Sequence, residues 1–564
     1  MNLRLLCKML SVVALLIGGS MVFSLPWALP ALGGQWELER AGLLGLLTAM
    51  GVCFLVGAAL RYAGRDSDGQ LFRKEAMATV GLSWILATIL GALPYQFAGV
   101  QRAEGAPMNF VDAMFESQSG FSTTGATVLT DIEDPELVPR CILFWRSSTH
   151  FLGGLGIIVL FVAILGQGSA GKALMRAEMP GPSHSSSQAR MQHTAWMLFF
   201  VYVGLNTALT LLLWLLGLSI FDALCHAFGT MATGGFSTYN ASVGHFATVE
   251  GLNAPAIEMA IVLFMFLAGT NFTLLYTAAI FQPKRLLGDI EWRTYASVIA
   301  VVTLLVLGFG LYYGDFEGGG IAQDIAQAPD LPDDSLPRGT VNDGSAADAS
   351  TAGLSPAGSL DELPWGSAIR YSLFQVVSIM TTTGFCTDDF NLWDSFARGT
   401  LLVLMFIGGC AGSTGGGLKV IRHILFVKIL RLEVEQAFHP SVVRPLRLAG
   451  KPVEQQELRK NVLVYFGLIL AIFVASWLFT ITFEPDTTWT DYGHEIEHKL
   501  IDAAGAVSAT LNNIGPGLGV IGATKNYTNF TPPTKLLFIL LMMIGRLEIF
   551  AIVVLLVPGF WRTQ

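Results

Sequence analysis

The stretch FSTTGATVL (Phe121–Leu129) decides the fold, because similar stretches return three times along the chain. They are TGGFSTYN from Thr233, TTGFCTDDF from Thr382 and NIGPGLGV from Asn513. Each is polar, contains glycine and lies between long apolar segments. Irregular backbone is tolerated at membrane depth only where protein or water surrounds it. The four stretches therefore predict that the chain folds around a shared polar axis.

The composition is that of a polytopic membrane protein. Of the 564 residues, 52% are hydrophobic and 13% are charged, whereas soluble domains carry about 25% charged residues. Apolar runs long enough to span a bilayer begin at ten places. We interpret the first run as a retained helix rather than a signal peptide, because it is too long for a signal peptide and further spans follow it. A net charge of −9 argues against nucleic acid as a partner.

A short segment, too short to span, precedes each glycine stretch and reads as a half-helix. Three of the segments start near an aspartate, which is favourable at a helix N-terminus as a cap and towards the dipole. The aspartates are Asp112, Asp222 and Asp502, with Tyr371 at the equivalent position of the third segment. Thirteen residues further on, without gaps, this register aligns four glycines: Gly125, Gly235, Gly384 and Gly515.

The predicted fold is an all-α polytopic membrane protein with four helix–pore half-helix–helix repeats (M1–P–M2) around a central pore and two extra N-terminal helices. The predicted boundaries are 1–70 for the N-terminal helices, 71–170 for repeat 1, 190–285 for repeat 2, 290–432 for repeat 3, 433–460 for a cytoplasmic hairpin and 461–564 for repeat 4. An acidic insert, 315–364, lies within repeat 3 on the outer side. It is interpreted as a solvated loop, or as an antechamber that concentrates cations.

Basic residues in short loops set the orientation. They fall on one side if ten helices alternate, which places that side and both termini in the cytoplasm. The residues include Arg61, Lys74, Lys284, Arg285 and Arg293.

Four loops that converge on one axis would form rings of backbone carbonyls, and the half-helices would direct their negative C-terminal ends at the centre. This arrangement binds cations, and glycine permits the backbone angles that it needs. The alternative, tight packing of glycine and threonine at helix ends, explains one loop better than four in one register. The predicted ion-binding residues are Thr123, Thr124, Gly125, Thr233, Gly234, Gly235, Thr382, Thr383, Gly384, Asn513, Ile514 and Gly515.

With the motifs STTGATVL, MATGGFSTYN, MTTTGFCTDDF, TLNNIGPGLG and FWRSSTHFLGGLGIIVL, the whole chain resembles the TrkH/TrkG/KtrB superfamily of potassium transport proteins. The resemblance implies the M1–P–M2 fold repeated four times, a homodimer in the bacterial inner membrane with one pore in each protomer, and K⁺ as the transported ion. It also implies a cytosolic partner with RCK-type nucleotide-binding domains (TrkA-like). The fourth loop has Asn513–Ile514 where other repeats have threonines. This difference suggests modest selectivity for K⁺ over related ions.

The stretch FIGGCAGSTGGGLKVIR (from Phe406) interrupts the last helix of repeat 3 with six glycines. Each glycine costs a helix roughly 0.8–1 kcal/mol relative to alanine, so this run is expected to be unwound. A close helix crossing would explain only two or three of them. The resemblance implies an intramembrane loop here that obstructs the pore. The glycines of this expected gate are Gly408, Gly409, Gly412, Gly415, Gly416 and Gly417.

Two basic residues are added to the gate. Arg546 follows Gly515, the aligned glycine of repeat 4, by 31 residues, and Gly415 follows Gly384 by the same number. Pseudo-symmetry therefore places Arg546 level with the expected gate. An ion pair with Glu548 or another buried acid is the alternative. Lys419 is included in the gate for a similar role, although snorkelling to the cytoplasmic surface is the favoured interpretation of its side chain.

No catalytic motif occurs: GxSxG, HExxH and the P-loop spacing are absent from the sequence, and the chain is not expected to be an enzyme or to hold an organic cofactor. Two transport modes remain open: gated, channel-like conduction, which is favoured, and tightly coupled H⁺ or Na⁺ symport with K⁺. Coupling would need a chain of intramembrane carboxylates. Glu116, Asp222 and Glu258 are the candidates, and they form no such chain in the sequence.

Overall fold

A computed structural model of the chain describes residues 2–65, 72–156, 188–316, 321, 365–439, 447–448, 451–452, 456–491, 496–547 and 549–562. Nearly all of this part is helical. Two short antiparallel strand pairs, Gln101–Ala103 with Ala106–Pro107 and Arg447–Leu448 with Lys451–Pro452, connect helices. Most of the acidic insert and much of the predicted cytoplasmic hairpin lie outside the described residues.

The helices follow the predicted order. The N-terminal pair comprises Leu3–Ser20, continued as a 3₁₀ helix over Met21–Ala28, and Trp36–Ala63. Repeat 1 contains Arg73–Ala98, Phe110–Phe121 and Arg140–Leu155. Repeat 2 contains Gln188–Leu215, Ile220–Ala232, Ala254–Ala268 and Phe272–Ala279, and the helix Pro283–Leu287 follows it. Repeat 3 contains Ile290–Tyr313, Trp365–Met380, Ser395–Leu404 and Val420–Phe438. Repeat 4 contains Gln456–Phe483, Lys499–Leu511, Pro532–Arg546 and Phe550–Val553. Shorter helices are Pro30–Leu32, Ser242–Ala247, Thr487–Asp491, Ile496–His498, Gly519–Ile521, Val554–Leu556 and Pro558–Trp561.

The last helix of a repeat is where the structure departs from the ten spans expected from the apolar runs. Six described helices are long and apolar enough to cross a membrane, and they are the N-terminal pair and the first helix of each repeat. In repeat 2 the last helix bends by 107° between Ala268 and Phe272. Repeat 4 breaks after Arg546, and repeat 3 breaks as predicted after Leu404. Interruption is therefore not confined to the glycine-rich helix of repeat 3.

The pore half-helices of repeats 1 and 2 begin at side-chain caps that the sequence analysis did not assign, whereas that of repeat 4 has none. The side chains of Asn109 and Ser219 accept hydrogen bonds from the backbone N–H groups of Asp112 and Asp222, respectively. The aspartates thus lie in the first turn, where their charge suits the helix dipole, while the residue three positions earlier is the cap.

Packing between repeats closes the fold into a ring. The last helices of repeats 1, 2 and 4 pack against the pore half-helices of repeats 2, 3 and 1, respectively. The N-terminal pair packs against the first helix of repeat 1. Buried Glu39 from that pair accepts hydrogen bonds from the backbone N–H groups of Arg140 (2.6 Å) and Cys141 (3.1 Å). Because these N–H groups begin a helix without a side-chain cap of its own, Glu39 supplies that cap from another segment.

Two buried ion pairs brace the first pore half-helix. Lys535 Nζ lies 2.6 Å from Asp112 Oδ1, and Arg146 Nε lies 2.6 Å from Glu116 Oε1. All four side chains are at most 2% exposed. Lys535 belongs to repeat 4, so its pair with Asp112 closes the ring between the last repeat and the first.

Asp112→Ala is expected to lower the free energy of unfolding by about 3–5 kcal/mol, because it leaves the Lys535 ammonium buried without its counter-charge. Thermal unfolding in detergent measures the loss. The control is Glu433→Ala, which breaks a half-exposed pair with Arg459 and is expected to change stability by less than about 1 kcal/mol. Equal melting temperatures for the two variants would contradict a bracing role for the buried pair.

Candidate ion pathway

The four glycine loops have one backbone conformation. In each loop the aligned glycine has a positive φ, and so has the residue two positions before it, which is threonine or asparagine. The values are 54° and 82° at Thr123 and Gly125, 56° and 75° at Thr233 and Gly235, 60° and 81° at Thr382 and Gly384, and 56° and 96° at Asn513 and Gly515. A positive φ outside glycine costs on the order of 1–3 kcal/mol. Its recurrence at four equivalent positions indicates a conformation that the site requires.

Hydrogen bonds explain how this conformation frees the carbonyl groups. In every loop the backbone N–H of the residue before the glycine donates to the carbonyl five positions earlier, in the pore half-helix. The bonds are Thr124 to Ser119 (2.9 Å), Gly234 to Gly229 (2.8 Å), Thr383 to Ser378 (2.8 Å) and Ile514 to Ala509 (2.9 Å). This is a Schellman-type helix end. In this helix end the N–H groups of the turn bond to carbonyls of the half-helix. They do not bond to the carbonyl oxygens of the loop, which can therefore accept a ligand.

The loops contact one another in a closed cycle. If an aligned glycine carried a Cβ atom, that atom would lie 1.9–2.5 Å from a carbonyl oxygen of the next loop. The carbonyl belongs to the residue just before the aligned glycine of that loop. The pairs are Gly125 with Gly234, Gly235 with Thr383, Gly384 with Ile514, and Gly515 with Thr124. The contact thus runs from repeat 1 to 2, 3, 4 and back to 1. All twelve predicted ion-binding residues lie in these four adjoining loops.

The fourth loop differs from the others in its side-chain contacts. Asn513 Nδ2 donates to Thr124 Oγ1 (3.0 Å) and to the carbonyl of Met542 (2.9 Å). The hydroxyl of buried Tyr527 donates to the carbonyl of Gly515 (2.8 Å). Sequence reasoning missed Tyr527, because it lies after the loop and outside the repeat register. Its hydroxyl engages a carbonyl that belongs to the ring, so the ring is chemically asymmetric.

The glycine-rich segment between Leu404 and Val420 is an unwound loop, as its composition predicts. It lies against the four glycine loops, which we call the filter loops: the N–H of Gly416 donates to Thr382 Oγ1 (2.7 Å). Only Gly412 and Gly417 among its six glycines have a positive φ. A Cβ atom on Gly416 would lie 2.7 Å from the Cβ atom of Asn513, so the glycine allows this loop to lie close to Asn513. We call residues 405–419 the gate loop.

The gate loop docks on the break in the last helix of repeat 2. The N–H of Cys410 donates to the carbonyl of Gly269 (2.8 Å), and Asn271 Nδ2 donates to the carbonyl of Ala411 (2.6 Å). The N–H of Phe272 donates to the carbonyl of Gly412 (3.0 Å). The break in repeat 2, which the sequence analysis did not predict, therefore supplies the free backbone groups that hold the loop.

Both predicted cations contact the gate loop. Arg546 donates from Nη1 to the carbonyl of Thr414 (2.6 Å) and from Nη2 to the carbonyl of Gly153 in repeat 1 (2.6 Å). Lys419 Nζ donates to the carbonyl of Gly415, and the side chain is 4% exposed. Snorkelling of Lys419 to the surface is therefore wrong, because its ammonium is bound inside. Glu548, the alternative partner of Arg546, lies outside the described residues.

The candidate carboxylates are engaged in local contacts. Glu116 pairs with Arg146, and Glu258 Oε2 lies 3.2 Å from Arg370 Nε. Asp222 accepts from the hydroxyls of Ser219 (2.6 Å) and Thr238 (2.7 Å). Within the described ranges no group of three or more His, Cys, Asp or Glu side chains could hold a metal ion.

These features are typical of a membrane transport protein: four glycine loops meet in a closed cycle, and an unwound loop lies against them. A family model described as TrkH, cation transport protein, matches residues 46–561. The chain belongs to this family, which confirms the expected membership and the prediction that it is a transport protein rather than an enzyme.

Individual proteins agree with the family match. The chain is 34% identical over 568 residues to the Trk system potassium uptake protein TrkH of Escherichia coli K12, covering all of both chains. It is 28% identical to TrkG of the same organism, covering 96% of each chain. The crystal structure of the potassium transporter TrkH from Vibrio parahaemolyticus superposes with a TM-score of 0.75 at 31% identity, covering all of both chains. The predicted fold class is thereby confirmed.

Gly235→Ala is expected to abolish cation flux while the protein still assembles, because the added methyl group would meet the Thr383 carbonyl at 2.1 Å. The matched control is Gly399→Ala, on a helix with open space around the glycine. Tracer Rb⁺ uptake into proteoliposomes and size-exclusion profiles measure both. Flux at the control level in Gly235→Ala would show that the ring does not line the pathway.

Proposed function

We propose that this chain takes up potassium across the bacterial inner membrane through the ring of four glycine loops. The closed cycle of contacts between the loops carries the proposal, because four equivalent carbonyl oxygens that meet in one cycle can surround a single cation. The named relatives, which are potassium uptake proteins, support K⁺ as the ion. Its ligands would be the carbonyls of the twelve residues predicted from the sequence, from Thr123 to Gly515.

The physical basis is replacement of water by protein oxygens. Carbonyl rings substitute for the hydration shell of a cation, and four half-helices that end at the ring add negative potential from their dipoles. Both Asn513 and Tyr527 act on the ring from the fourth repeat, so the four ligand groups are not equivalent. This asymmetry supports moderate rather than strict selectivity for K⁺ over related ions.

The gate loop is proposed to obstruct the passage beside the filter. Its contact with Thr382 and its close approach to Asn513 put it against two of the four filter loops. The guanidinium of Arg546 and the ammonium of Lys419 would oppose a second cation there by charge, while their hydrogen bonds hold the loop. Opening would require these bonds to break.

Channel-like conduction is the favoured mode, and tightly coupled H⁺ or Na⁺ symport is the alternative. Glu116 and Glu258 face arginines, and Asp222 faces hydroxyls, so the three candidates are each engaged locally. They do not form a relay from filter to cytoplasm within the described residues. A passive, gated pathway accounts for this arrangement without a coupling ion.

Family resemblance supports the remaining assignments. We propose a homodimer, both termini in the cytoplasm, and a TrkA-like cytosolic subunit with RCK-type nucleotide-binding domains that controls the gate loop. The basic residues on the cytoplasmic side, such as Lys284 and Arg285, are suited to binding an acidic surface of such a subunit.

The proposed function is tested by K⁺ flux and reversal potentials in proteoliposomes, with and without an imposed H⁺ or Na⁺ gradient. We expect a reversal potential that follows the K⁺ gradient alone. A shift with the second ion would establish symport instead. Absence of K⁺ flux from the well-folded protein, under conditions that open the gate, would refute potassium transport.

Tyr527→Phe is expected to reduce discrimination of K⁺ over Na⁺ while preserving transport, because the Gly515 carbonyl loses its tether. One hydrogen bond contributes about 0.5–1.5 kcal/mol, so the change should be about two- to tenfold in the permeability ratio. Bi-ionic potentials measure it. Tyr312→Phe, on an exposed part of the first helix of repeat 3, is the control; identical ratios in all three proteins would exclude a role for the hydroxyl.

Arg546→Ala is expected to raise basal K⁺ flux by about tenfold or more, because the gate loop loses a charged hydrogen-bond donor worth about 1.5–3 kcal/mol and the passage loses a positive charge. Tracer efflux without the cytosolic subunit measures it. Arg562→Ala removes an exposed cytoplasmic arginine and should leave flux unchanged. Wild-type flux in Arg546→Ala, with intact regulation, would contradict the gating role.

A further inference from the structure

A buried carboxylate outside the repeat register binds both the gate loop and the first turn of the helix that follows it. Glu291 Oε1 accepts a hydrogen bond from the N–H of Ala411 (2.8 Å) and another from the N–H of Ile421 (3.0 Å). The residue is 8% exposed. These two N–H groups lie ten residues apart in the sequence, and four of the six glycines lie between them. One oxygen atom thus holds the backbone on both sides of these glycines.

The contact with Ile421 also serves the helix that follows the loop. Helix Val420–Phe438 begins at Lys419, whose side chain makes no capping hydrogen bond. The first N–H groups of a helix lack intrahelical partners and attract negative charge. Glu291 supplies both the acceptor and the charge. Release of Glu291 would therefore loosen the loop and uncap the helix together.

Glu291 is connected to the cytoplasmic surface by a short path. It lies in the first turn of Ile290–Tyr313, two residues after Asp289, whose side chain caps that helix through the N–H of Trp292 (2.9 Å). Just before it comes the exposed helix Pro283–Leu287, which carries Lys284 and Arg285.

The other anchor of the gate loop lies at the opposite end of the same segment. Residues 272–289 run from the helix Phe272–Ala279 to the helix Pro283–Leu287, and these two helices pack against each other. We call residues 272–289 the cytoplasmic connector. Asn271, which binds the loop at Ala411, precedes it, and Glu291 follows it. A force on the connector would thus act on both anchors.

We propose that Glu291 is a positioning residue that keeps the gate loop closed, and that the cytoplasmic connector transmits the binding of an acidic cytosolic partner to it. This inference rests on the proposed function for its transport readout. It adds a residue and a route of regulation that the glycine pattern does not contain.

The test compares Glu291→Ala with Glu291→Gln in the full chain, with Glu37→Ala as the control. Alanine removes both hydrogen bonds, whereas the glutamine Oε1 can still accept them. Glu37→Ala removes an exposed acid in the first turn of helix Trp36–Ala63, outside the gate loop and the cytoplasmic connector. We expect basal K⁺ efflux from proteoliposomes to rise about tenfold in Glu291→Ala, and to stay near the wild-type value in the other two variants.

A second readout does not depend on transport. Cys410 lies in the gate loop and is 1% exposed, and Cys141 and Cys225 are fully buried near the pore half-helices. Labelling with a small maleimide, located by mass spectrometry, should increase at Cys410 alone in Glu291→Ala. Labelling of all three cysteines would mean that the variant unfolds, and would overturn the gating role.

Two further outcomes are decisive. Unchanged efflux together with unchanged Cys410 labelling in Glu291→Ala would overturn the inference while leaving potassium transport intact. If the wild-type protein conducts no K⁺ when opened, the proposed function fails, yet selective labelling of Cys410 would still support Glu291 as the residue that holds the loop.

Discussion

The structure depends on a constraint of the bilayer: backbone carbonyls at membrane depth need a partner, because lipid offers none. The four glycine loops satisfy it together. Their N–H groups bond back to the pore half-helices, each aligned glycine admits the carbonyl of the next loop, and all four glycines line one cavity. A cation is the partner that such oxygens suit. The strained threonines, the buried half-helices and the ring of repeats all serve this one arrangement.

The same constraint accounts for the gate loop. An unwound segment in the membrane also exposes carbonyl and N–H groups, and here they are bound by Arg546, Lys419, Asn271 and Glu291. These partners come from repeats 2, 3 and 4, whereas a filter loop is held by its own half-helix. An element held by side chains from several repeats is suited to move when one of them shifts, and an element held by its own helix is suited to stay fixed.

Much of this could be predicted from the sequence, because repetition exposes it. The offset of thirteen residues located the four glycines, and the offset of 31 residues placed Arg546 beside the gate loop. Contacts unique to one repeat could not be predicted in this way. Tyr527 and Glu291 have no counterpart in the register, and the break after Ala268 lies in an apolar helix without a glycine run. Lys419 was open to two interpretations because only packing decides whether its ammonium reaches the surface.

If the proposed function holds, the ring of glycine loops binds a dehydrated cation. Anomalous diffraction from crystals grown with Tl⁺ or Rb⁺ in place of K⁺ tests it most directly. We expect peaks within the ring of Gly125, Gly235, Gly384 and Gly515, which weaken when K⁺ competes and are missing in Gly235→Ala. An empty ring in a protein that transports the same ion, with peaks elsewhere, would contradict it.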